Sequence, residues 1–429
     1  MSCRCSSFAG STSARTGYGR VMRCRTLAAT FLMVALAAAC GTAPSTLPSS
    51  APSSLTPTPT VPLTSTATAI PTPAPTPTLA CADAVLARLT LEQRVGQLFL
   101  LGLANDALGT AEVSAIRAEH FGSVWFVEKS ASGAGAIRSV ADAAQALATA
   151  ETTGGVRFFV AANQEGGLIQ SLSGPGFTTI PSALDQSTID PTALRGQAAT
   201  WGAQLRSAGV NFNFAPVLDV VPPGTDAQNE PIGVLRRGYG HDPATVSAHG
   251  VAFLRGMQDA GVATSAKHFP GLGRVKGNTD FTSSVVDSVT TASDPYLTPF
   301  RDAIAAGVPF VMVALATYER IDSSGLAVFS PAIESQLLRG SLAFGGVVLS
   351  DDLGETAAVA SIAPADRAIA FLSAGGDMII SKTIAPAKAM ASAIRARAQA
   401  DGGFNARVND AALRVLRAKA AYGLLACGS

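Results

Sequence analysis

Histidine is scarce in this chain: among 429 residues only His120, His241, His249 and His268 occur, and none forms the short-spaced pair by which two imidazoles grip one metal ion. Metal catalysis is therefore not expected. A surplus of charge of either sign is also missing, since 31 Lys+Arg stand against 30 Asp+Glu and leave a net charge of +1. That balance offers no broad field for nucleic acid or for an acidic surface, so neither is expected as a partner. Charged residues make up only 14% of the chain and hydrophobic ones 48%, a balance that suits one large domain with a buried interior. No Gly-rich dinucleotide loop follows the first apolar strand, which excludes the usual nucleotide-cofactor architecture. No cofactor of any kind is expected.

The N-terminal fifth reads differently from the rest. Arg20, Arg23 and Arg25 precede an apolar run from Leu27 to Ala39, too short to span a bilayer comfortably and ending in small residues. Residues 1–39 are thus an expected signal peptide, with Met22 an alternative start to Met1. Leu36-Ala-Ala-Ala-Cys40 is similar to a bacterial lipoprotein cleavage box, which makes Cys40 the expected lipidation site and a membrane the expected partner of its lipid. Simple secretion after Ala39 is the alternative. Residues 40–80, nearly all Pro, Thr, Ser and Ala, cannot bury enough apolar surface to offset the entropy of ordering and are expected to form a disordered tether. The export reading sets the chain on the outer face of the cytoplasmic membrane or in the cell envelope. In that oxidising setting Cys81 and Cys427, which bracket the remaining 81–429, are expected to pair, since a closed barrel brings its two ends together.

Between those cysteines, short and almost continuous apolar runs alternate with longer amphipathic ones, as parallel strands buried on both faces alternate with crossover helices. Eight strands are predicted near Leu98–Leu103, Ser123–Val127, Phe158–Ala162, Val210–Val217, Ala263–Lys267, Phe310–Leu315, Gly346–Ser350 and Asp377–Ser381. Thr90 with Gln93 forms a capping box, Pro243 and Pro331 stand near helix starts, and Gly261, Gly307 and Gly376 close helices. Eight such units make an α/β fold of the (β/α)8 TIM-barrel type, a single domain expected to be monomeric. An open doubly wound sheet is the alternative.

Chemistry in such a barrel belongs at the C-terminal strand ends. Strand three ends in Asn163-Gln-Glu-Gly-Gly167, strand four in Ala215-Pro-Val-Leu-Asp219, strand five in Lys267-His-Phe-Pro-Gly271 and strand seven in Ser350-Asp-Asp352. Carboxylates and a Lys-His pair gathered at one mouth favour acid–base and covalent carboxylate chemistry.

At these residues the chain resembles the family 3 glycoside hydrolases, most nearly their single-domain β-N-acetylhexosaminidase branch. The segments KHFPGLG from Lys267, NQEGG from Asn163, APVLD from Ala215, LTPFRDAIAAGV from Leu297 and VVLSDD from Val347 carry the likeness across nearly the whole folded region. The resemblance implies a retaining glycosidase with Asp351 as nucleophile, Lys267 and His268 as sugar ligands, and Arg237 as a further substrate contact with Arg236 as its rival. It implies a carbohydrate partner with a β-linked amino sugar, as in peptidoglycan fragments. The competing readings are a helix cap for Asp351, a buried ion-pair network for Lys267 and His268, and a loop brace for Asp219.

Five positions depart from the family's pattern. Its Asp-x-His dyad is replaced by Asn278-Thr-Asp280, and Leu272 takes the place of the motif's second histidine. Asp280 is the expected acid/base, since a carboxyl of raised pKa can protonate a leaving oxygen; a self-bonded Asn-x-Asp loop is the alternative. Asn163 stands where the family has a sugar-clamping aspartate and Leu168 where it has an arginine, which removes charge-assisted bonds to sugar. Three functions follow: a β-N-acetylglucosaminidase, a β-glycosidase of shifted specificity, or a catalytically weak glycan-binding lipoprotein.

Overall fold

The computed structural model describes residues 77–426. The signal segment 1–39, Cys40, most of the stretch 40–80 and Cys427 lie outside the described residues. Cys81 is disulfide-bonded. The stretch assigned to the tether ends earlier than expected, because a helix spans Pro77–Arg88. Proline is tolerated there, as its missing N–H belongs to the first turn, where donors have no intrahelical partner.

Eight parallel strands close into a barrel in chain order: β1 (Phe99–Leu103), β2 (Ser123–Phe126), β3 (Phe159–Ala162), β4 (Phe212–Asn213), β5 (Ala263–Phe269), β6 (Phe310–Val313), β7 (Val347–Asp352) and β8 (Met378–Ser381). Closure is made by β1, which pairs with β2 through Leu100 and Ser123 and with β8 through Phe99 and Ile379. The strands are buried along nearly their whole length, as near-continuous apolar runs covered by helices require. Gly102 in β1 answers a close approach: a Cβ there would meet the Lys382 carbonyl oxygen at 2.3 Å.

Two expectations need correction. The fourth strand is far shorter than Val210–Val217, because Pro216 has no N–H to give to a ladder. The chain still follows β5 irregularly, with Ser265 N–H to Ala215 O at 3.1 Å and Leu218 N–H to Lys267 O at 2.6 Å. The helix before β8 is closed by Gly375, at φ 128°, and not by Gly376. Thr90 and Gln93 do form the reciprocal box, with Gln93 N–H to Thr90 Oγ1 and Thr90 N–H to Gln93 Oε1 both at 3.2 Å. Removing it in Thr90→Ala is expected to cost about 1 kcal/mol, read as a lower urea midpoint at unchanged slope.

The N-terminal end of the barrel is sealed. Phe212 and Phe310 stack with centroids 4.2 Å apart, and Phe159 meets Phe310 edge-on at 5.4 Å. Beneath them Lys419, from the helix Gly402–Ala421, gives hydrogen bonds to Gln97 Oε1 at 2.6 Å and to Gly122 O at 2.7 Å. Burial pushes its amine well below the ordinary lysine pKa. At the same end Asp377 is held by Arg339, Arg407 and Arg414, so those charges bind the helices to the start of β8. Room for a ligand is left at the opposite end.

Candidate active site

At the C-terminal strand ends lies a cavity of about 390 Å³, lined among others by Asn163, Arg237, Lys267, His268, Asp280 and Asp351. These six come from the ends of β3, β5 and β7 and from the loops that follow β4 and β5. The substrate and catalytic residues expected from the sequence therefore meet in one place.

The deepest polar element is an ion cluster around Glu165, which is almost wholly buried. Arg237 holds its carboxylate in a two-pronged grip, Nε to Oε2 and Nη2 to Oε1, both at 2.8 Å. Lys267 Nζ stands 2.7 Å from Oε1. Burial alone would raise the Glu165 pKa, but Arg237 and then Lys267 outweigh it and hold the carboxyl down at about 2. Lys267 is asymmetric with it: burial lowers its pKa, Glu165 counters this, and Arg237 adds to the lowering. Burial likewise opposes the charged Arg237, but Glu165, Asp219 and Asp351 prevail and raise its pKa. Two cations thus share Glu165 at the floor of the cavity.

Asp351, at the tip of β7, is half-buried and accepts the Asp352 N–H at 2.8 Å through one oxygen. Loop capping falls instead to its neighbour: Asp352 accepts the N–H groups of Gly354, Glu355 and Lys382. Burial raises the Asp352 pKa against those bonds.

Lys267 also gives a hydrogen bond to Asn163 Oδ1 at 2.8 Å. The peptide between Lys267 and His268 is cis, and both side chains line the cavity. The His268 ring is oriented by Asp219, with Nδ1 to Oδ2 at 2.8 Å. Asp219 Oδ1 accepts the backbone N–H of His268 at 3.1 Å and of Leu272 at 2.7 Å. Asp219 is fully buried and braces both the ring and the start of the loop after β5. Gln164 turns away, bonding both backbone groups of Leu172. The rival Arg236 points outward to the exposed Asp185 at 2.6 Å, while Arg237 reaches the cavity. Leu168 is exposed at the turn of the hairpin formed by Gln164–Gly166 and Ile169–Gln170.

Asp280 sits exposed at the cavity's rim. The protein packed around it, and then the Asp351 carboxylate, push its pKa up against the opposing pull of Arg237, His268 and Lys382. Its backbone N–H bonds Asn278 Oδ1 at 3.0 Å, so the self-ordered loop is present as well. That bond uses the Asp280 backbone, however, and among the described residues nothing hydrogen-bonds to its carboxylate. The turn is tied on two more sides, Asn278 N–H to Glu230 Oε2 at 3.1 Å and Ala357 N–H to Asp280 O at 3.1 Å.

Sequence reasoning missed Glu165 as the hub of the cluster, and Trp125, Phe281 and Lys382 as cavity residues. Glu165 was visible as a polar residue past the end of β3 without a direction, and nothing in the sequence marked the other three. Among the described residues no group of three or more His, Cys, Asp or Glu is placed to hold a metal ion.

The sequence matches the glycosyl hydrolase family 3 N terminal domain over residues 90–418. A β-N-acetylhexosaminidase from Beutenbergia cavernae DSM 12333 has a similar structure, with 48% identity and a TM-score of 0.76, covering 78% of this chain and 99% of that one. A β-hexosaminidase of Stenotrophomonas maltophilia (strain K279a) is 34% identical over 237 residues, 52% of this chain and 66% of the relative. A β-N-acetylglucosaminidase/β-glucosidase of Cellulomonas fimi is 32% identical over 315 residues, 70% of this chain and 53% of the relative. The chain therefore spans a little under two thirds, or less, of these curated relatives' own length.

Proposed function

We propose, on the premise that the chain belongs to glycosyl hydrolase family 3, that it is a retaining exo-β-N-acetylglucosaminidase acting on cell-wall fragments. One observation carries this reading: two carboxyls of opposed surroundings face one cavity. Asp351 stands at the strand tip within the electrostatic reach of Lys267 and Arg237, whereas Asp280, on the rim, has its pKa raised by the protein around it and by Asp351 against the weaker pull of Arg237, His268 and Lys382. Divergent environments for a carboxyl pair are what separates a nucleophile from an acid.

In the first step an Asp351 oxygen bonds the anomeric carbon while the bond to the leaving oxygen breaks and Asp280 delivers its proton there. In the second, Asp280 takes a proton from water, whose oxygen displaces Asp351 and frees the sugar. Lys267, His268 and Arg237 orient the pyranose. On this reading residues 1–39 direct export, lipid on Cys40 anchors the chain outside the membrane, and the stretch between Cys40 and the helix that starts at Pro77 gives the barrel its reach.

Asn163 favours a second reading, a β-glycosidase of shifted sugar preference. Its carbonyl oxygen is engaged by Lys267, which leaves mainly the amide N–H2 to meet a hydroxyl.

The test compares a nitrophenyl N-acetyl-β-glucosaminide with a β-linked N-acetylglucosamine disaccharide. Asp280→Asn is expected to lower kcat on the disaccharide by about 10² to 10⁴, with far less effect on the activated aryl substrate. Because the acid works protonated and its pKa is raised, wild-type kcat/KM on the disaccharide falls as pH climbs through that pKa. The variant lacks that limb. Wild type inert on both substrates returns the chain to a glycan-binding role, and Asp280→Asn silent on the disaccharide moves the acid to another residue.

A further inference from the structure

The rim of the cavity carries a residue that the proposed chemistry leaves unused. Phe281 is 83% exposed, the most exposed of the large hydrophobic side chains among the described residues, and it lines the cavity directly after Asp280. Single exposed apolar side chains are ordinary on protein surfaces, so exposure alone says nothing. Its setting says more. The turn that bears it is hydrogen-bonded internally, Phe281 N–H to Asn278 O at 3.0 Å and Thr282 N–H to the same oxygen at 2.8 Å. It is also tied outward to Glu230 and to Ala357. The ring is therefore held out on a pre-ordered support, where binding needs little further ordering.

Direction follows from the two carboxyls. Asp351 lies inside at a strand tip and Asp280 on the rim, so a bond cleaved between them has its leaving oxygen toward the opening. At about 390 Å³ the cavity is at the small end of ligand sites, and a second ring has to extend over the rim, beside Phe281.

Resting on the glycosidase reading, the geometry points to Phe281 as the platform for the leaving-group sugar, its ring stacking on the apolar C–H face of the pyranose one residue beyond the scissile bond. Phe281 thereby sets a preference for glycosides whose leaving group is itself a ring over those whose leaving group is small.

The probes are the N-acetylglucosamine β-1,4-disaccharide and N-acetyl-β-glucosaminyl fluoride, which has the same reacting sugar and no second ring. In Phe281→Ala the ratio of kcat/KM on the disaccharide to that on the fluoride falls roughly five- to tenfold, the size of one aromatic stacking contact, and Phe281→Trp restores it. A ratio unchanged within about twofold overturns the assignment, as does a loss that Phe281→Trp fails to recover. If wild type hydrolyses neither probe, the hydrolase reading fails by itself. Equilibrium binding of the disaccharide to the Asp351→Asn protein, with and without Phe281→Ala, then decides the platform: a roughly five- to tenfold weaker Kd upholds it and an equal Kd removes it.

Discussion

Asp351→Asn is expected to abolish turnover of both the aryl glycoside and the disaccharide, by a factor on the order of 10⁴ in kcat. The amide keeps the shape and can still accept the Asp352 N–H that one Asp351 oxygen accepts at 2.8 Å, so the melting temperature should shift by only a few degrees. On the proposed mechanism, what it loses is the carboxylate oxygen that attacks carbon and the charge that acts on Lys267 and Arg237. Leaving-group chemistry cannot rescue such a protein, and this separates it from Asp280→Asn, which should recover on the activated substrate. Asp351→Ala supplies an independent check. With added azide entering the vacated space, the aryl glycoside should give the α-glycosyl azide, since attack from that side inverts the β-configuration once. Formation of the β-azide, or full activity of Asp351→Asn on the aryl substrate, would show that the nucleophile lies elsewhere.

The largest effect on stability is expected from Glu165→Gln. The substitution removes one carboxylate from between two buried cations, and breaking a buried pair from one side costs about 3 to 5 kcal/mol because a charge is left without compensation. An exposed pair offers the contrast: Asp185→Asn, which unpairs Arg236 at the surface, should leave the unfolding midpoint nearly unchanged, because water screens that pair. Denaturant unfolding of the two variants side by side measures the difference. The pH dependence has a definite sign. Glu165 has its pKa lowered from 4.5 to about 2 in the folded protein, so its contribution is complete above the unfolded value. It is lost progressively as pH falls through that window, as the unfolded chain takes up the proton first. Stability of Glu165→Gln should fall less over the same window; an acid limb as steep as in wild type would assign it to other carboxyls.

The barrel was legible because each strand is a short apolar run buried on both faces, a pattern that needs no tertiary information. Where that logic stopped, the reason is specific. Pro216 lies inside an apolar run, so hydropathy extended β4 over a stretch whose hydrogen bonding to β5 continues only irregularly. Gly375 and Gly376 are adjacent and equally plausible caps, and only the backbone angle separates them. Within the site, Asp351, Lys267 and His268 were readable as polar residues crowded at strand ends. Asp219 was readable as a brace, and the structure shows what it braces, the His268 ring and the Leu272 N–H. Glu165 was not readable as a hub, since its direction depends on how β3 gives way to the hairpin, and its partners Lys267 and Arg237 are remote in sequence. Phe281 carries no signal at all, because an aromatic on a rim is written in the sequence like one in a core.

The turn from Asn278 to Thr282 takes its outer supports from Glu230, in the loop after β4, and from Ala357, beyond β7. Its shape is therefore not the property of its own segment. Transplanting those few residues into a related barrel would carry over the letters without the scaffolding, and the Asp280 carboxyl would arrive unaimed. Exchange of this feature between relatives has to move three loops as one unit.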